Sequence, residues 1–181
     1  MTRNKKILVR DTMPEDAAAV GRIHAAGWER AYRGIFSDEY LDDVIKKKLE
    51  KIEQRAELYR NSAGIYLVAT DESGKIIGTA DGSKQEWRDN IPESEKQFQL
   101  SALYLDPVVI GNVAVVLALV REFAHRVAAR GGDKFIGSTP TKNRAARLYD
   151  KLGKRLIEKI DGNEGHGQPE TYFEFDVKRF I

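Results

Sequence analysis

The stretch with the plainest chemical potential is Gln99 to Gly131, QLSALYLDPVVIGNVAVVLALVREFAHRVAARG. Leu100, Leu103 and Leu105, with Tyr104 among them, read as a strand that Asp106-Pro107 stops. Val116, Leu119, Val120, Phe123 and Val127 then recur at helical spacing, with Arg121, Glu122, Arg126 and Arg130 on the other face. Gly111-Asn112 between them must turn the chain. The first N–H groups of a helix have no partner inside it, so a strand, a tight turn and a helix start make a site for anions. Here those groups would come from Gly111, Asn112, Val113, Ala114 and Val115. Side chains lean toward a helix N-terminus, so branched Val113 and Val115 are expected to crowd an approaching phosphate, and Ile110 brings no polar donor. A β-hairpin over Val108 to Val116 is the alternative by turn propensity and would abolish the anion site, but the helical continuation argues against it.

Other chemistry is sparse. The chain has no cysteine, hence no disulfide, thiolate metal site or cysteine nucleophile, as suits a reducing cytoplasm. His24, His125 and His166 stand apart without ligand spacing, so no metal is expected. A net charge of +2 with mixed signs argues against a nucleic-acid binder. Lys46, Lys47, Lys48, Lys51 and Arg55 look basic, but Glu50, Glu53 and Glu57 are interleaved, which reads as a solvated helix face with ion pairs. The N-terminus lacks the apolar core of a signal peptide, and the longest apolar run, Val113 to Val120, is too short to cross a membrane.

The elements that must position these residues follow in order. Ile7 to Val9 read as a strand, and Asp11 or Thr12 with Pro14 as a helix start carrying Ala17, Val20, Ile23 and His24 toward Trp28. Ser37 opens a second helix whose stripe runs from Leu41 to Tyr59. Ile65 to Thr70 and Lys75 to Ser83 form a hairpin about Asp71-Glu72-Ser73-Gly74. Gln85 to Glu95 reads as a loop before the central strand and helix. Lys134 to Thr139 is a strand, Thr141 to Leu152 a helix ended by Gly153, and Arg155 to Ile160 and Thr171 to Val177 are strands around a glycine-rich loop, Gly162 to Pro169. The 181 residues read as one domain, 1–181, of mixed α/β (α+β) class in the order βααβββαβαββ, a central sheet flanked by helices.

That order resembles the GNAT acetyltransferase superfamily across essentially the whole chain. Leu103-Tyr104-Leu105-Asp106-Pro107 matches the strand leading into the family's acetyl-CoA pyrophosphate loop, Q/R-x-x-G-x-G/A, whose signature positions fall here on Ile110, Val113 and Val115. A second segment, Asn143 to Gly153, resembles the family's N-x-x-A-x-x-x-Y-x-x-x-G, with Ala145, Tyr149 and Gly153 in register and Asn143 one residue late.

The resemblance implies a mixed sheet in the GNAT arrangement, acetyl-CoA as co-substrate, and transfer of an acetyl group to a primary amine of a small molecule or protein. It implies a general-acid role for Tyr149, for which packing of its helix is the alternative. It implies cofactor contacts at Leu103, Leu105, Ile110, Gly111, Asn112, Val113, Ala114, Val115 and Asn143, local backbone capping being the alternative for Asn143. Trp28, Tyr32, Arg33 and Phe36 fall in the segment that borders the acceptor. A glutamate base sometimes stands at the position of Gln99, which cannot titrate. A homodimer is the family-level expectation, with no nucleic-acid or membrane partner. The altered loop keeps a second reading open, a non-catalytic binding or regulatory module on the same scaffold.

Overall fold

A computed structural model describes residues 6–61, 63–85, 97–160 and 168–181. Most of the expected loop after Gln85, and of the glycine-rich loop with His166, lies outside the described residues. The chain runs β1 (Leu8–Asp11), α1 (Ala17–Tyr32), α2 (Asp38–Glu50), α3 (Ile52–Asn61), β2 (Ile65–Thr70), β3 (Ile76–Lys84), β4 (Phe98–Leu105), α4 (Val113–Ala129), β5 (Lys134–Pro140), α5 (Ala146–Leu152), β6 (Lys154–Ile160) and β7 (Pro169–Asp176). All the strands join one seven-stranded sheet in the order β1-β2-β3-β4-β5-β7-β6.

Three local departures from the sequence expectation have physical causes. The helix start near Pro14 is organised by Asp16, not by Asp11 or Thr12: Asp16 accepts the Met13 N–H at 2.8 Å and binds Arg10 at 2.6 Å. Ser37 does open α2, accepting the Tyr40 N–H, but the long helix breaks at Lys51. The break lets Arg55 of α3 fold back and donate to the carbonyl oxygens of Ala17 and Lys48, so Arg55 is not on a solvated face. Lys48 also turns inward, its ammonium 5.0 Å from the centre of the Trp28 ring, and burial lowers its pKa. Finally, residues 141–145 form turns, and α5 begins only at Ala146.

The sheet alternates its side chains between two layers. One face packs on α4 through Val115, Leu119, Phe123 and Val127, with Phe135 stacked on Phe175 at 5.0 Å. The other face carries Thr79 and Tyr104 toward α1. β4 and β5 run parallel and pair only over Phe98–Leu100 with Phe135–Gly137. Beyond Leu100 they diverge. The cause lies in β4, where Asp81 and Gly82 of β3 oppose Ala102 and Leu100, leaving Ser101 as an extra residue. Such a bulge bends its strand and ends pairing, here on the β5 side.

Candidate functional site

The divergence opens a cavity of about 100 Å³. β4 contributes Leu100 to Tyr104, β5 contributes Ser138 and Thr139, α1 contributes Ala31 and Tyr32, and the start of α5 contributes Asn143, Ala145 and Tyr149. No charged side chain lines it among the described residues.

Tyr149 packs its ring edge-on against Phe173 and Phe175, at 5.4 and 5.8 Å. Its hydroxyl has no hydrogen-bond partner among the described residues, yet the residue lines the cavity. Burial raises the phenol pKa, so the group stays protonated in neutral solution. Tyr32 and Tyr104 face each other across the cavity wall with hydroxyl oxygens 3.4 Å apart, and burial raises both of their pKa values as well. Tyr104 reaches α1 because Gly27 stands there: a Cβ at Gly27 would lie 2.4 Å from the Tyr104 ring.

Asn143 sits in the turn before α5. Its Nδ2 donates to Thr139 Oγ1 at 2.8 Å and its Oδ1 accepts the Ala145 N–H at 3.1 Å. Both ends of the amide are thus committed to the protein, while the residue still lines the cavity.

At the C-terminal end of β4, Asp106 accepts the Val108 N–H at 2.9 Å and starts a short turn, Pro107–Val109. Gly111 adopts φ of 86°, a conformation natural to glycine, and Asn112 caps α4. The hairpin alternative is therefore excluded by a helix that starts at Val113. Much of the expected anion platform is already engaged. The Ala114 N–H donates to Asn112 Oδ1, the Val115 N–H to the Asn112 carbonyl, and the Asn112 N–H to the Val109 carbonyl. Among the described residues, the N–H groups of Gly111 and Val113 remain without a protein acceptor.

The side chains also divide differently from the expectation. Val115 is fully buried against the core and cannot crowd a phosphate. Val113 (50% exposed), Ile110 (37%) and Val108 (74%) project outward and make the loop surface apolar. Leu103 and Leu105 both pack against the core, and Leu103 alone of the two also lines the cavity.

Of the acceptor-side residues, only Tyr32 lines the cavity. Trp28 and Phe36 pack around it, with Trp28 4.8 Å and Phe36 5.5 Å from the Tyr32 ring. Arg33 is held outside the cavity by Glu29, Asp38 and Asp42, and this exposed cluster of carboxylates removes it from the site. His24 is buried, its Nε2 2.9 Å from Thr79 Oγ1 and 3.2 Å from Asp81 Oδ2. Sequence reasoning missed Ser138 and Thr139, which carry no motif, and missed Tyr104 as a site residue although it stands in the matched Leu103-Tyr104-Leu105 flank.

No family sequence model and no curated protein matches the chain. Solved structures do. The PaiA N-acetyltransferase of Thermoplasma acidophilum, in complex with coenzyme A, superposes with a TM-score of 0.70 at 19% identity, covering 92% of this chain and 98% of that one. YncA of Salmonella typhimurium, with its cofactor acetyl-CoA, gives 0.65 at 18% identity, over 95% and 94% of the two chains. The ribosomal-protein-alanine N-acetyltransferase of Brucella melitensis gives 0.67 at 16% identity, over 93% and 99%. The diverging parallel strands, the helix layers and these superpositions agree: the chain has the fold of the GNAT acetyltransferases.

Proposed function

We propose that the protein is an acyltransferase that moves an acetyl group from acetyl-CoA to a primary amine of a small molecule or protein. The observation that carries this reading is the Tyr149 hydroxyl at the cavity between β4 and β5, without a hydrogen-bond partner among the described residues; burial favours its protonated form. Beyond Leu100, the backbone N–H and C=O groups of β4 on the side of β5 have no partner on that strand among the described residues, and can meet a ligand. They suit the amides of a pantetheine arm and can donate to the oxyanion that forms when an amine attacks a thioester. The nitrogen bonds to the acyl carbon, the carbon–sulfur bond breaks, and Tyr149 gives its proton to the departing thiolate. The amine's surplus proton leaves to water and restores the phenol. The amine must be neutral when it attacks, and no carboxylate lines the cavity among the described residues.

The phosphates of CoA meet a reduced set of donors. Losing two charge-assisted hydrogen bonds, at ~1.5–3 kcal/mol each, lowers affinity by roughly two to four decades. Acetyl-CoA should therefore bind in the high micromolar to millimolar range. The committed amides of Ala114 and Val115 favour a second reading, a GNAT-fold module without catalysis. Calorimetry with acetyl-CoA and CoA, followed by single-turnover transfer to a panel of amines, decides between them. Submicromolar binding would refute the reasoning about the loop. Absence of binding at several millimolar would favour the module.

A further inference from the structure

The cavity and the loop beside it make opposite demands on a donor. The gap between β4 and β5 offers open backbone groups and uncharged walls, which fit a pantetheine thioester. Among the described residues, the loop that should hold a pyrophosphate offers the N–H groups of Gly111 and Val113 without a protein acceptor, and Val108, Ile110 and Val113 are exposed around them. Phosphates placed against apolar side chains lose water without gaining donors. At this loop two backbone amides leave the pyrophosphate of CoA short of main-chain donors.

β4 and β5 are parallel, so the loops that follow both strands leave the same edge of the sheet. On the β4 side that edge is apolar. The Asp106 carboxylate there accepts the Val108 N–H and lies 3.4 Å from the Lys75 ammonium. On the β5 side it is basic: Lys142, Arg144 and Arg147 are exposed, and none has a carboxylate partner among the described residues. An apolar knob and unpaired cations at one edge of the sheet together complement an acidic protein surface with an apolar contact.

We propose that the preferred donor is a thioester on the phosphopantetheine arm of an acidic carrier protein, docked on Val108, Ile110 and Val113 and on Lys142, Arg144 and Arg147, with its arm in the β4–β5 cavity. This rests on the acyl-transfer reading. The chemistry balances as before: the amine nitrogen bonds to the acyl carbon, the carbon–sulfur bond breaks, the thiol stays on the carrier with the proton Tyr149 gives it, and the one proton the amine sheds returns to the phenol through water. The carrier supplies through protein contacts the binding that CoA must draw from its nucleotide.

Calorimetry needs no acceptor and tests this directly. The probes are the acidic acyl carrier protein of a bacterial fatty-acid synthase with its arm (holo), the same protein without the arm (apo), pantetheine and CoA. The holo-carrier is expected to bind at least tenfold more tightly than CoA and than the apo-carrier. Val108→Glu and Arg144→Glu, both at exposed positions, should each weaken the holo-carrier by tenfold or more and change pantetheine, which carries no phosphate, by less than threefold. Melting curves establish that the variants are folded. CoA binding as tightly as the holo-carrier would overturn the proposal while leaving acyl transfer standing. Equal binding of holo- and apo-carrier would overturn it too, by removing the arm from the cavity. If no probe binds, both the proposal and the acyl-transfer reading fall.

Discussion

Replacing Tyr149 by Phe separates chemistry from packing more cleanly than any other change at this site. The ring keeps its edge-on contacts with Phe173 and Phe175, and the deleted hydroxyl has no hydrogen-bond partner among the described residues. No buried group is orphaned, so the penalty of about 1–3 kcal/mol that follows the loss of one partner of a buried pair does not arise. Stability should change by less than ~0.5 kcal/mol, the scatter of neutral substitutions. The rate should change far more, because a positioned general acid contributes on the order of 10²–10⁴. The assay is single-turnover transfer to a responsive amine, with thioester affinity and melting temperature measured on the same preparation. The pH profile adds an independent check. Burial raises the phenol pKa above its ordinary value near 10, so the acid form persists through that pH and the alkaline limb of the parent should stay flat up to about 10. Full activity in the Phe variant, or a parent profile falling with a midpoint well below 10, would remove Tyr149 from proton transfer. A parallel loss of rate and affinity would make its hydroxyl a positioning group.

Ile110→Gln with Val113→Gly should tighten CoA binding tenfold or more at a stability cost of ~0.5–1 kcal/mol for the helix glycine, and unchanged affinity in a folded variant would show that the loop is not limiting. Val115→Gly should not be combined with them, since that side chain is wholly buried and its loss would leave a cavity under α4; a melting temperature unaffected by it would contradict the packing described. Gly27→Ala places a methyl 2.4 Å from the Tyr104 ring, so a destabilisation of ~1–3 kcal/mol is expected, and a variant as stable as the parent would mean that Tyr104 moves freely. The Asp16 carboxyl, held by Arg10 and the Met13 N–H against the cost of burial, has a lowered pKa. Its contribution is therefore present above the ordinary carboxylate range and lost as pH falls through the lower folded value. Asp16→Asn should flatten urea-measured stability between about pH 5 and 2 relative to the parent, and identical slopes would refute this.

The architecture was legible because its signals are local. A strand stopped by Asp106-Pro107, a glycine turn and a long periodic helix identify β4 and α4 by spacing alone, and Tyr149 stands out by its register with Ala145 and Gly153. The site was legible only in outline. The cavity exists because Ser101 is an extra residue opposite β3, and a bulge inside an ordinary alternating strand leaves no compositional mark. Thr139 joins it only through the parallel β4–β5 pairing, which is a long-range fact. Val115 illustrates a finer limit. Side-chain lean toward a helix start is a general tendency, but the rotation of α4 on the sheet decides that Val113 faces out and Val115 faces in. Lys48 and Arg55 look like solvated charges in sequence, and they turn inward because the helix breaks at Lys51 and brings backbone carbonyls and an indole face within reach.

The short pairing of β4 with β5 has a consequence for the unliganded protein. A sheet normally exposes unpaired backbone only at its two outer strands, and those are the places where proteins guard against unwanted strand pairing. This sheet carries a further pair of raw edges in its middle, and only three residues on each strand stitch β1–β4 to β5–β7 along that seam. Without an occupant, the seam is where the molecule would first breathe, and where amide exchange should be fastest among the central strands. An extended amide-bearing ligand would act there as a missing stretch of strand. It would turn two hinged half-sheets into one continuous plate, so that binding is read out as stiffness as well as affinity.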